Sequence, residues 1–251
     1  MTLDLILLII AGFFAGAINT IAGGGSLLTL PLLIFMGLPE AIANGTNRIA
    51  IFFQTASSVA GFRSKGVVTY PFSLYLGISA SIGSFIGAQY AIDIDGATFK
   101  KILSIVMIVV VFLIVFKKNN NSLEVLAERT TGKHLYIAII VFFFVGLYGG
   151  FLNAGVGFIM LAILPMINRF TLVKSNATKV TVAFIYTAIA LSVFIFNGKV
   201  DWKLGLTLAI GNATGAWFAS RYSVKKGDKF IRYALFVIVV GMSIKLWFYN
   251  S

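Results

Sequence analysis

Eight long apolar runs fill most of the sequence and limit the folds open to it. They lie at 3–22, 38–61, 70–91, 102–116, 135–152, 180–197, 204–219 and 233–248. Most approach the roughly 17–25 residues that a helix needs to cross a bilayer. Only 11% of the 251 residues are charged, against about 25% in soluble domains, so a soluble core would lack a polar shell. The pattern predicts an all-α polytopic membrane protein with about 8–10 membrane helices.

Composition also narrows the chemistry that the chain can perform. It has no cysteine and a single histidine, His134, so neither a thiolate site, a histidine metal cluster nor a Ser-His-Asp triad can be built. We therefore expect no enzyme, no metal and no cofactor. The net charge of +12 is spread over short loops, which favours topology signals and contacts with membrane lipids over nucleic-acid binding. The first run has no basic residue before it, so we expect a retained membrane helix and not a cleaved signal peptide.

The two halves of the sequence match each other at polar and small residues. At an offset of 134, Gly12, Gly16, Asn19, Gly23, Leu27, Leu30 and Pro31 meet Gly146, Gly150, Asn153, Gly157, Leu161, Leu164 and Pro165. At an offset of 132, Asn44, Thr46, Thr55, Gly66, Gly83 and Tyr90 meet Asn176, Thr178, Thr187, Gly198, Gly215 and Tyr222. We predict membrane repeat 1 (1–116), a polar linker (117–134) and membrane repeat 2 (135–251), as in many transporters.

Each predicted repeat begins with a stretch too long for one straight helix. Residues 3–36 would extend about 51 Å as a helix, against a hydrocarbon core of about 30 Å. The glycines of "AGGGS" (22–26) mark the break, because glycine tolerates backbone angles that a helix interior forbids. The matching site is "NAGVG" (153–157). Each repeat is thus predicted to hold a Gly-broken leading helix pair and three spanning helices.

The Lys/Arg distribution favours inverted repeats. With Arg48 and Lys179 set aside, 13 basic residues lie on one side and five on the other if the broken stretch enters the membrane and returns. If it crosses once, the count is nine on each side. Only the first arrangement obeys the positive-inside rule, and it places both termini outside the cell.

Polar groups around the breaks form the candidate site. The half-helix that starts at Ser26 directs its amides and positive dipole end at the break, which suits an anion. Arg48 lies near the centre of its run, where a charge is costly without a partner, and no acid of the chain is expected at that depth. Lys179 lies closer to a membrane edge. For both cations, snorkelling to the interface is the alternative. Asn19 and Asn153 either bind substrate or cap backbone groups.

Two further glycine pairs have a different interpretation. Gly12 and Gly16, and likewise Gly83 and Gly87, are four residues apart. That spacing is typical of close helix packing and not of a ligand site.

The segment "GFFAGAINTIAGGGSLLTLPLLIFMGLPEAIANGTNRIAI" resembles the N-terminal signature of the sulfite exporter TauE/SafE family, and "GLYGGFLNAGVGFIMLAILPMI…KSNATK" is similar to its second repeat. The resemblance covers essentially the whole chain. It implies a bacterial or archaeal inner-membrane permease for small organosulfur or sulfur-oxyanion substrates. By motif position it points to Asn19, Gly23, Gly24, Gly25, Ser26, Thr46, Asn47, Asn153 and Thr178. Arg48 rests on its depth alone.

These observations predict a multi-pass secondary transporter or facilitator for a small anion in the cell membrane. Sulfite-like oxyanions, organosulfonates and short carboxylates are the expected substrates, moved by alternating access and exported. An anion channel, or a subunit that delivers a sulfur compound to a partner enzyme, is the alternative, and a homo-oligomer stays open. The predicted binding set is Asn19, Thr20, Gly23, Gly24, Gly25, Ser26, Thr46, Asn47, Arg48, Asn153, Gly155, Gly157, Thr178 and Lys179.

Overall fold

The computed structural model describes residues 2–116 and 127–222, and within these ranges its regular structure is entirely α-helical. The described helices are α1 (Thr2–Ile21), α2 (Ser26–Phe35), α3 (Glu40–Arg63), α4 (Phe72–Asp93), α5 (Gly96–Phe116), α6 (Gly132–Phe151), α7 (Val156–Asn168), α8 (Leu172–Phe196) and α9 (Trp202–Tyr222). The eighth predicted run, 233–248, lies outside the described residues. The all-helical class is confirmed.

The helix boundaries confirm the interruption in both leading stretches. The chain breaks between α1 and α2 and again between α6 and α7. Two predicted boundaries are wrong: α8 begins at Leu172, eight residues before the predicted start, and α6 begins at Gly132, inside the predicted linker. The early start of α8 has a local cause, since the Thr171 hydroxyl caps the helix by accepting from the Lys174 N–H at 3.3 Å.

Three of the described helical segments are long and apolar enough to cross a bilayer: Leu3–Ile21, Gly132–Phe151 and Leu172–Phe196. Each of these helices exposes several large apolar side chains. On α1 the exposed set is Leu3, Ile6, Leu7, Ile10 and Phe14. An exposed apolar stripe of this size suits contact with lipid tails and not with water.

Glycines hold two helix pairs in close contact. A Cβ built on Gly16 of α1 would overlap the Asn212 carbonyl of α9, and one on Gly150 of α6 would overlap that of Ser84 on α4. Along α1, Gly12 faces Leu208 and Gly16 faces Asn212, so α1 and α9 run parallel. The packing role predicted for the glycine pairs is confirmed, as in small-xxx-small interfaces.

The same contacts correct the register of the sequence match. Gly211 meets α1 at Ile9 and Phe13, and Gly83 meets α6 at Phe143 and Leu147. The corresponding positions of α4 and α9 are therefore 128 residues apart, not the 132 that paired Gly83 with Gly215. The physical reason is loop length: residues 64–71 separate α3 from α4, but only 197–201 separate α8 from α9.

Helices α3 and α8 cross the middle of the molecule in opposite directions. The ring of Phe52 stacks on Phe184 with centroids 5.0 Å apart, and the guanidinium of Arg48 lies 4.7 Å from the Phe194 ring centroid. Further along α3, Phe62 packs against Ala177. Contacts thus move backward along α8 as they move forward along α3. The short helix α2 lies against α1 and α3, and α7 lies against α6 and α8.

The parallel α1–α9 pair can be tested by placing the same side chain on two faces of α1. Gly16→Val inserts a branched side chain against the α9 backbone, and overpacking of this kind costs roughly 1–3 kcal/mol. Ile10→Val changes the exposed face of the same helix. We expect a clearly lower unfolding midpoint for Gly16→Val in detergent and almost no change for Ile10→Val. Equal midpoints would contradict the close contact.

Candidate functional site

The two chain breaks touch each other. Gly23 in the first break has φ +90°, and a Cβ built on it would lie 2.5 Å from Gly157 Cα, near the start of α7. Gly157 in turn has no room for a Cβ beside Gly23. Only glycine allows the backbones to come this close, so the interrupted segments of both halves meet at one place.

The first break is held by Asn19. Its Oδ1 accepts from the Gly25 N–H at 3.2 Å, and its Nδ2 donates to Gln54 Oε1 at 2.6 Å. Gly25 is packed directly against the Ala15 carbonyl, whereas ten residues of continuous helix would span about 15 Å. The chain therefore turns back on itself here. Asn19 thus caps a backbone group, one of its two predicted roles.

The second break is built differently. Asn153 and Gly155 both have left-handed backbone angles, with φ 58° and 74°. Asn153 Oδ1 accepts from the Tyr186 hydroxyl at 2.8 Å, and the Tyr148 hydroxyl donates to the Ala154 carbonyl at 2.5 Å. Asparagine is the non-glycine residue that best tolerates this conformation, which explains its place before the break.

Lys179 neutralises the carbonyl end of α1. Its ammonium donates to the Asn19 and Thr20 carbonyls, each at 2.9 Å, and to Asn176 Oδ1 at 2.7 Å. A helix end carries unpaired carbonyls and partial negative charge, so a cation there is favourable. The predicted position near a membrane edge, with snorkelling as the alternative, is wrong: α8 starts seven residues earlier and Lys179 is only 3% exposed.

Arg48 does the same for α6. Its Nη1 donates to the Gly149 carbonyl at 3.0 Å, and its Nη2 donates to the Gly150 carbonyl and to Asn44 Oδ1. Asn44 Nδ2 continues the cap by donating to the Phe151 carbonyl at 2.8 Å. Arg48 is fully buried, which excludes snorkelling. The partner that its depth required is, in this structure, the end of a helix in the other half of the chain.

Three buried N–H donors beside these contacts have no hydrogen-bond partner in the part of the chain that the structure describes: Asn47 Nδ2, Arg48 Nε and Asn153 Nδ2. Asn47 Oδ1 is engaged, since it accepts from the Thr29 hydroxyl at 2.7 Å. Among the described residues, no Asp or Glu is buried with them. The surroundings of the breaks are therefore rich in donors and positive charge.

The other predicted residues are distributed as follows. Thr20 is buried and bonds to Ser58 at 2.7 Å, and Ser26 is buried at the start of α2. Thr46 and Thr178 lie apart from the breaks: Thr46 accepts from the Asp201 N–H and Thr178 donates to the Lys174 carbonyl, both at 2.8 Å. Gly24 is buried in the first break, and Gly155 caps α7.

The predicted binding set omits two participants, Gln54 and Tyr186. Each binds the asparagine that precedes a break, and the two positions are 132 residues apart. That offset already paired Asn44 with Asn176, so it could have pointed to both residues even though their side chains differ.

Removing the Lys179 cap tests its structural role. Lys179→Met keeps the length of the side chain but leaves the two α1 carbonyls without their donor, and a buried unpaired polar group costs about 1–3 kcal/mol. We expect a large drop in the unfolding midpoint of the purified protein. Lys203→Met, on the exposed side of α9, should leave the midpoint unchanged. Similar midpoints for both variants would contradict the cap.

Comparison with known proteins identifies related membrane proteins. The family model for the sulfite exporter TauE/SafE matches residues 8–246. The chain is 29% identical to a probable membrane transporter protein of Haemophilus influenzae, with 98% of this chain and 97% of that protein covered. It is also 29% identical to the probable membrane transporter proteins ORF9 of a Sinorhizobium species (95% and 90% covered) and YfcA of Escherichia coli K12 (95% and 88% covered). No solved structure matches the chain significantly. A match over nearly the full length means that this chain is a membrane protein of the sulfite exporter TauE/SafE family of transporters.

Proposed function

We propose that the protein is a secondary transporter that carries a small anion past the two breaks. One observation carries the proposal: two buried cations and three unpartnered N–H donors surround the breaks, with no buried carboxylate among the described residues. Unpaired buried donors are unfavourable unless a ligand or water accepts from them. We propose that the anion accepts hydrogen bonds from Asn47, Arg48 Nε and Asn153. Arg48 and Lys179 keep the helix ends capped and supply the positive potential.

Inverted repeats give such a carrier its two alternative states. Reciprocal contacts of the two buried cations support the proposal of inverted repeats. Arg48 on α3 caps α6, whereas Lys179 on α8 caps α1. Helices α3 and α8, which correspond in sequence, run in opposite directions. A parallel duplication would orient them alike.

The charge distribution supports a cytoplasmic location for one face of the molecule. We call it the linker face; α3 ends there, and α4, α6 and α8 begin there. The ends of the helices place seven basic side chains on that face: Arg63, Lys65, Arg129, Lys133, Arg169, Lys174 and Arg221. The opposite face carries four, Lys100, Lys101, Lys199 and Lys203. The positive-inside rule then assigns the richer face to the cytoplasm of an inner-membrane protein. A membrane potential of 100 mV, negative inside, favours anion exit by about 2.3 kcal/mol per charge, so export needs no coupling ion.

Corresponding places on the two faces differ, which supports the proposal of alternating access. At the face opposite the linker, Thr46 of α3 holds the start of α9 through the Asp201 N–H, and Gly45 is packed on the Lys199 carbonyl. At the linker face, Thr178 bonds within its own helix, and a cavity of about 360 Å³ lies beside it between α3, α4 and α8. A larger cavity, about 620 Å³, lies between α4 and α6 toward the opposite face, so we propose closure there only at the contact between α3 and the start of α9.

Transport itself can be tested in proteoliposomes loaded with sulfite. We expect saturable efflux that external anion accelerates by exchange. Asn153→Asp keeps the shape and the left-handed backbone but replaces the unpartnered donor with a negative charge, so sulfite flux should fall at least tenfold. The matched control is Asn197→Asp, exposed at the end of α8, which should retain wild-type flux. Large single-channel currents, or equal flux in both variants, would refute the carrier.

Alternating access can be tested with cysteine pairs, because the chain has no cysteine of its own. The pair Thr46→Cys and Asp201→Cys links α3 to the start of α9, at the face opposite the linker face. We expect efficient oxidation without substrate and loss of exchange until reductant is added. Ser73→Cys with Thr178→Cys is the corresponding pair at the linker face, given offsets of 128 and 132. This pair should form a disulfide only when substrate shifts the protein to the state that is closed at the linker face. Full oxidation of both pairs without substrate would rule out alternation at these positions.

A further inference from the structure

The cavity at the linker face has walls of hydrocarbon. Its volume is about 360 Å³, within the roughly 300–1,000 Å³ typical of pockets for organic ligands. Val59, Phe62, Val67, Leu74 and Ile185 contribute to its lining. An inorganic oxyanion would leave most of this surface uncovered and would exchange its water for groups that form no hydrogen bonds.

Polar groups are nevertheless present in the same cavity. Arg63 and Thr69 line it, and so does Ser73. Ser73 is only 1% exposed, and its hydroxyl has no hydrogen-bond partner among the described residues. A buried hydroxyl without a partner indicates a missing ligand or water. Together with the Arg63 guanidinium it provides what one acidic group needs: a positive charge and a hydrogen-bond donor.

We infer that this cavity binds an organic anion with an apolar body, an alkyl or aryl sulfonate or carboxylate, in preference to sulfite. Its charged group lies toward Arg63 and Ser73, and its hydrocarbon part covers the walls formed by α3, α4 and α8. Binding here stands on the cavity alone, whereas its role as the entrance for the transported substrate rests on the proposed function. The protein then selects its cargo by apolar contact as well as by charge.

A homologous series of ligands tests the inference directly. Wild-type protein in nanodiscs of zwitterionic lipid is titrated with sulfite and with methane-, butane- and hexanesulfonate, and the dissociation constant is measured. Burial of each methylene contributes about two- to fourfold in affinity, so the constant should fall steadily along the series. Arg63→Gln should weaken every sulfonate about tenfold without changing the step per methylene. Lys65→Gln, two residues away and not in the lining, should bind like wild type.

The possible results distinguish failure of this inference from failure of the proposed transport function. Equal affinity along the series would overturn the apolar subsite, even if sulfite flux in proteoliposomes is intact. Absence of any anion flux would refute the transporter, although a chain-length dependence would still support the cavity site. The same titration in nanodiscs containing phosphatidylglycerol tests the other source of such a ligand. If anionic lipid abolishes sulfonate binding, the cavity is a lipid-headgroup site and the inference fails.

Discussion

The need to satisfy helix ends inside a nonpolar layer governs this structure. A break in a membrane helix exposes carbonyls that water cannot reach, and each unpaired group costs several kcal/mol in hydrocarbon. Here the end of α1 is capped by Lys179 and the end of α6 by Arg48. Without these cations the breaks would be too costly. With them, two interrupted helices approach each other until Gly23 touches Gly157.

The caps also bind the two halves of the chain together. Each cation belongs to a helix of one half and caps a helix of the other, and the glycine contacts pair α1 with α9 and α4 with α6. Neither half can therefore satisfy its own break. Movement of one half relative to the other must carry the caps with the helix ends, or it must exchange their partners. Coupling of this kind favours a few discrete arrangements over continuous deformation.

Much of the fold follows from local sequence, and what does not depends on distant partners. Length demands a break in each leading stretch, glycine-rich segments locate both breaks, and the glycine spacing predicts the packing faces. The depth of Arg48 correctly demands a partner, but that partner is the Gly149 carbonyl, 101 residues away, in a helix end that exists only because of the second break. Lys179 was misplaced because the polar "VKSNATK" hides the first turns of α8. The predicted sequence offset between α4 and α9 was wrong by about one helical turn because the two connecting loops differ in length.

That difference in loop length gives the duplicated chain its asymmetry. The residues at 64–71 form one wall of the cavity beside Ser73 and Thr181, whereas the shorter connection at 197–201 brings Asp201 onto Thr46. Two identical halves would give faces of equal energy. In the proposed carrier, a longer loop on one side would favour the state that is open there, and the bound anion would supply the free energy that reverses this preference.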